Sequence, residues 1–175
     1  MADYGSKEST RSRAGVFSHS QIRHLMRVEF GRAQRYGYPI SYIQICVDRL
    51  DQLRDLYGYE SKETILEDVV ALLQEETRGC DYLGKSTDDR LSVILPHTSS
   101  HGAEAVGQRL LEAARGLVFE ADGRRLKVTL SVGAAHYEAE NTLFFDALVK
   151  ASEDALSDAL NSGGDTFVYR DPGAV

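Results

Sequence analysis

With 175 residues, 42% of them hydrophobic and 27% charged, the chain has the length and composition of one soluble globular domain with a real core. A formal net charge of -7 excludes generic binding to a DNA or RNA backbone, which needs a basic face, but still allows a small anionic ligand held by a few local arginines. No apolar run is long enough to span a bilayer, no signal-peptide core follows Met1, and Cys46 and Cys80 make no disulfide framework, so a cytoplasmic protein with no membrane partner is expected.

Residues 1–15 are polar, with Gly5, Gly15 and several Ser, Arg and Lys, and read as a disordered tail ahead of a domain over 16–175. From Ser18 the pattern is helical. Ser18 or Ser20 can cap, Ile22, Leu25, Met26 and Phe30 recur at helical spacing, and Gly37 with Pro39 ends the helix. Residues 40–47 alternate as a strand. A short helix over 50–56 stops at Gly58, and a strongly amphipathic helix follows over 61–78, with Gly79 as its expected C-terminal cap. A hairpin is expected next, with arms 82–86 and 90–95 and Asp88-Asp89 near the tip, then a helix over 99–116. Asp122-Gly123 is the strongest short hairpin signal in the chain and predicts a second hairpin whose later arm runs over 126–135. A helix over 143–161 and a strand over 166–169 complete the order. Helices, hairpins and strands are mixed without repeated βαβ units, so the class is α+β with a mostly antiparallel sheet.

Most of the functional information sits in residues 78–91, where Arg78 and Asp81 are followed by Thr87-Asp88-Asp89-Arg90-Leu91 after five intervening residues. This arrangement resembles the centre of a GGDEF domain, the diguanylate cyclase family. There a regulatory Arg-x-x-Asp precedes a Gly-Gly-Asp/Glu-Glu-Phe signature at the same spacing. Residues 32–39, Asp48, residues 55–59, Leu95-Pro96 and residues 128–134 are similar to further segments of the family in order, and the likeness covers 18–169. It implies the nucleotidyl cyclase palm-like fold, a five-stranded central sheet flanked by helices.

The family joins two GTP molecules using divalent metal ions that neutralise phosphate charge and activate the attacking hydroxyl. Aligned on the family's metal ligands are Cys46, a soft and poor ligand for magnesium, and Asp89, while Asp48 is retained nearby. The next acid of the signature is replaced by Arg90, a cation, and Leu91 closes the motif. Thr87 and Asp88 stand where two glycines let backbone approach the nucleotide. The guanine-reading positions carry Arg54 and Glu63, and the phosphate-gripping cations are replaced by Leu160 and Gly164. The resemblance therefore implies a catalytic centre that has decayed, with no cyclase activity, no magnesium and no other cofactor.

The inhibitory site of the family reads differently. Arg78, Asp81 and Arg109 fall in register with the residues that bind intercalated cyclic di-GMP. An Arg guanidinium suits this task because it stacks on a base and donates a fork to the guanine O6/N7 edge, while a carboxylate can accept from the opposite edge. Taken singly, Arg78 could complement a helix dipole, Asp81 could be a turn residue and Arg109 a solvated one. Together they imply a cyclic di-GMP receptor in bacterial signalling, with a ligand-bridged homodimer and a protein partner as output. Two alternatives stay open: a GGDEF-fold interaction module that binds no nucleotide, and a residual guanine-nucleotide enzyme using Asp48, Glu63 and Asp89. His97 and His101 are expected on the surface, and Tyr38 in packing.

Overall fold

The structure, a computed structural model, describes residues 15–139 and 141–173. The tail expected over 1–15 lies outside the described residues except for Gly15. The first helix, α1 (His19–Tyr36), opens on a capping box: the Gln21 amide donates to the Ser18 hydroxyl at 3.3 Å and the Ser18 amide donates to the Gln21 side chain at 2.9 Å. Gly37, at φ 72°, closes it in the left-handed conformation that favours glycine. Then come β1 (Ile40–Val47), α2 (Leu50–Tyr57), α3 (Tyr59–Glu76), β2 (Tyr82–Lys85), β3 (Leu91–Pro96) and α4 (Ser100–Arg115). The chain ends with β4 (Phe119–Ala121), β5 (Arg124–Leu126), β6 (Leu130–Tyr137), α5 (Phe145–Asn161) and β7 (Thr166–Tyr169).

Five strands form the central sheet in the order β2-β3-β1-β6-β7. The β2–β3, β3–β1 and β1–β6 pairs are antiparallel, as expected, but β7 pairs with β6 in parallel, so the sheet is mixed. Helix α5 is the crossover that makes this pairing reachable. The alternation in residues 40–47 separates two covered faces rather than core from solvent. Ile43, Ile45 and Val47 join Ile65, Val69, Leu73 and Leu110 on the α3/α4 side, whereas Ile40 and Tyr42 join Met26, Phe30 and Leu148 on the α1/α5 side.

Two local expectations are corrected. The arm expected over 126–135 is broken: β5 ends at Leu126 in a separate two-stranded sheet with β4, and β6 begins at Leu130. Between them the Thr129 carbonyl accepts the Asp48 amide at 2.9 Å, which bends the chain onto the end of β1. The Asp122-Gly123 turn itself forms, with both residues left-handed at φ 50° and 73°. Helix α3 ends at Thr77, extended at φ -94°, and not on a left-handed Gly79. The Thr77 amide closes the last turn on the Leu73 carbonyl at 3.1 Å, and just beyond it the Asp81 carboxylate takes the Arg78 amide at 2.8 Å.

At the β7 edge the Tyr169 hydroxyl meets His136 Nδ1. Burial, with Asp171 and Glu138 adding to it, pushes the Tyr169 phenol up to about 12. A folded-state value above the ordinary one means that the unfolded chain loses this proton first. The group's contribution to stability is whole below about pH 10 and is lost as pH rises toward 12. Tyr169→Phe is expected to flatten the alkaline decline in denaturation free energy over that window; an unaltered slope would refute the assignment.

Candidate functional site

Two clusters of polar side chains lie at opposite ends of α3. At the C-terminal end, residues 78–81 form a turn closed by the Asp81 amide donating to the Arg78 carbonyl at 3.0 Å. Asp81 is buried, at 4% exposure, and its carboxylate accepts from the Arg78 amide, from Nε at 3.4 Å and from Nη2 at 3.2 Å. Nη2 of Arg78 also donates to Thr98 Oγ1 at 2.9 Å and to the Pro96 carbonyl at 3.4 Å, across the β3–α4 connection. The Arg78 side chain nevertheless keeps 55% of its surface exposed. From α4, Arg109 reaches the same helix end. Its Nε meets Glu76 Oε2 at 2.9 Å and its Nη2 donates to the Glu76 carbonyl at 2.8 Å, with 51% of the side chain exposed.

The structure thus brings Arg78, Asp81 and Arg109 to one helix terminus, where the free carbonyls carry partial negative charge that favours cations. The two guanidinium groups are presented to solvent. The carboxylate is not: it is turned inward as a rigid support for Arg78. Reception of the guanine N1 and N2 protons by Asp81 would require this network to open.

The second cluster gathers around the N-terminal half of α3 and the β2–β3 hairpin. The hairpin tip places Asp88 and Asp89 both left-handed, at φ 56° and 57°, and the Arg90 amide closes it on the Thr87 carbonyl at 3.2 Å. Both central residues of this turn thus adopt the positive φ that usually calls for glycine, inside a five-residue connection from Lys85 to Leu91. Asp89 does not stand free. Lys62 Nζ lies 2.6 Å from its Oδ2 and 4.0 Å from Asp51, with the Lys62 side chain only 9% exposed. The hydrogen bond to Asp89 raises the Lys62 ammonium above its ordinary range, so it is charged at neutral pH.

Across this cluster Cys46 is half-buried and lies near the Val47 carbonyl, with Sγ–O at 3.6 Å. Burial pushes its thiol up, partly offset by Arg90, so it is a neutral thiol and not a thiolate. Asp48 is held by three donors: Thr129 Oγ1 at 2.7 Å, Ser131 Oγ at 2.6 Å and the Asp165 amide at 2.9 Å. Gly164, left-handed at φ 80°, packs directly on this carboxylate, where a Cβ would come within 2.7 Å of Oδ2. Arg54 pairs with Asp51 at 3.5 Å and with Asp55 at 3.3 Å. Leu160 lines a cavity of about 250 Å³ with Cys46, Asp88 and Asp89, while Glu63 lines a neighbouring groove of about 380 Å³ with Asp89, Arg90 and the core residue Leu91.

Magnesium needs hard oxygen ligands free of competing cations. A neutral thiol, a carboxylate held by a buried ammonium and another engaged by three donors do not fit that ion. Lys62 was not anticipated from the sequence, although it stands three and seven residues before the buried Ile65 and Val69, on the apolar stripe of its helix. A lysine at such a position must find an opposite charge, and that was the signal available.

A family model described as diguanylate cyclase, GGDEF domain, matches residues 13–166. Diguanylate cyclase A of Treponema denticola is 26% identical over 129 residues, covering 71% of this chain and 33% of that protein. The chain therefore spans about a third of the length of that curated relative. A crystal structure of the diguanylate cyclase SiaD from Pseudomonas aeruginosa, in complex with its activator SiaC, superposes with TM-score 0.82 at 26% identity, covering 91% of this chain and 60% of that one. The GGDEF domain of DgcB from Caulobacter crescentus, solved with c-di-GMP, superposes with TM-score 0.83 at 10% identity, covering 94% and 96% of the two chains. That last likeness concerns the fold.

Proposed function

Because the chain belongs to the GGDEF domain family of diguanylate cyclases, we propose that it is a catalytically inactive member that receives cyclic di-GMP on Arg78 and Arg109. Asp81 positions the first guanidinium, and the output is a protein–protein contact in a bacterial signalling pathway. One observation carries this reading: α3 is closed at one end and open at the other. Near its start Lys62 neutralises the acid that the reaction would require, and at its end two guanidinium groups stand half-exposed, each held by its own carboxylate.

Binding of the ligand trades the Arg109–Glu76 contact and part of the Arg78 network for guanine edges and phosphate oxygens. The half-exposed Arg109–Glu76 pair contributes about 0–1 kcal/mol, so its exchange is inexpensive, and Arg78 keeps its bond to the buried Asp81 while its free edge turns to the ligand. A stacked ligand dimer could then bridge two copies. Titration calorimetry with cyclic di-GMP, run beside a mass measurement, tests both points: heat with an increase in mass is expected. Absence of heat sinks the receptor reading. It would favour a second one, an interaction module without nucleotide, which draws support from both arginines being paired in the ligand-free protein.

The GTP pool is expected to stay unchanged on incubation with magnesium or manganese. Formation of cyclic di-GMP would overturn the inactivity and restore the residual-enzyme alternative. No helix among the described residues is long and apolar enough to cross a membrane.

A further inference from the structure

Beside Arg78 the chain holds a flat ring in an unusual way. His97 sits between Pro96 and Thr98, which with Asp81 accept from Arg78 Nη2. Its backbone is left-handed, at φ 52°. For a residue with a Cβ that conformation costs on the order of 1 kcal/mol, and such strain collects where a side chain must be aimed. The imidazole lies on the Tyr38 ring, with centroids 3.9 Å apart and planes 23° from parallel. One face of His97 is thereby covered, while the residue as a whole remains exposed.

The covering ring is itself anchored. Tyr38 donates its hydroxyl to Glu29 Oε2 at 3.2 Å. Glu29 is 5% exposed and also receives the Tyr82 hydroxyl and Arg32 Nη1, at 3.2 and 3.1 Å. The Thr98 amide donates to the Pro39 carbonyl at 3.2 Å, tying the His97 segment to the strand entry next to Tyr38. A buried carboxylate, two tyrosines and a strained turn thus fix an imidazole plane on the residue between the two that the half-exposed Arg78 guanidinium touches.

We propose that the open face of His97 is a purine-stacking subsite adjoining Arg78: a guanine laid on the imidazole would be read at its O6/N7 edge by the guanidinium. The inference rests on the cyclic di-GMP reading and adds a contact that the Arg-x-x-Asp motif does not contain. A flat ring already supported on one side suits base stacking, because little freedom is lost when the base arrives.

The test compares cyclic di-GMP affinity by calorimetry for the wild type, His97→Gly, His97→Ala and His97→Trp. Glycine relieves the left-handed strain, so that variant keeps the turn while removing the ring. Loss of the stacking plane is expected to weaken binding roughly 5- to 100-fold in the Gly and Ala variants. His97→Trp should stay within roughly 3-fold of the wild type, and its fluorescence should change on addition of ligand. Wild-type binding with undiminished affinity in His97→Gly removes the subsite and leaves the receptor reading standing. Absence of binding by the wild type removes both.

Discussion

Arg78→Ala is expected to weaken cyclic di-GMP binding about 5- to 150-fold, the loss of one bidentate contact to guanine worth about 1–3 kcal/mol. The reason lies in how the guanidinium is held. Asp81 and Thr98 fix its orientation before any ligand arrives, so little side-chain entropy remains to be lost on binding. Arg78→Lys should recover little of the affinity, since an ammonium cannot reproduce the planar fork. Folding should survive with reduced stability, because the buried Asp81 loses its charge partner but keeps the backbone amide of residue 78. A thermal melt establishes that point, and an unchanged dissociation constant in the folded variant would remove this site from consideration.

Arg109→Ala should have the same sign and a smaller size. Its contacts to Glu76 are more exposed, and fewer groups hold the side chain in place. Asp81→Asn separates positioning from direct reading of the base. If the carboxylate acts by holding Arg78, the amide analogue keeps one acceptor for the backbone but loses charge attraction, and affinity falls in step with Arg78 order. Arg78→Ala combined with Asp81→Asn should then be no worse than Arg78→Ala alone.

Local physics alone made much of the fold readable. The Ser18 cap, the Gly37 stop and the apolar spacing of α3 act through neighbours within one or two turns of chain. The Asp122-Gly123 turn is read in the same way. What escaped depends on distant partners. The break between β5 and β6 is made by Asp48, far away in sequence, and the turn that follows α3 is held by a carboxylate beyond the helix. Lys62 and Glu29 follow one rule. Each is a charged residue on the apolar stripe of a helix, and each turned out to be the buried centre of a polar network, with Asp89 in one case and with Tyr38, Tyr82 and Arg32 in the other. Periodicity exposes such a residue as an exception but does not name its partner. The stacking of His97 on Tyr38 was equally hidden, because the two residues are brought together by the pairing of β1 with β3.

Gly133→Ala is expected to be the most damaging small substitution in the β6–α5 interface. A Cβ there would lie 2.1 Å from the Leu156 amide nitrogen, 2.5 Å from its Cα and 2.7 Å from the Ser152 carbonyl oxygen. All three obstacles are helix backbone, so relief requires α5 to move as a body. The loss is expected to be about 3 kcal/mol or more, at the upper end for overpacking, which is a large share of the roughly 5–15 kcal/mol that holds a domain together. In a chain of this size the melting temperature should fall by about 6–12 °C. Gly107→Ala is the informative comparison. Its Cβ would come even as close as 2.2 Å, but to the ring of Phe167, a half-buried side chain that can turn aside. That substitution also gains up to about 1 kcal/mol of helix propensity, so its net cost should be about 2 kcal/mol or less. Denaturant titration of the two variants decides the matter. If Gly107→Ala proves the costlier, the obstacle at Gly133 yields more easily than helix backbone should, and α5 is not seated rigidly on the sheet at that point.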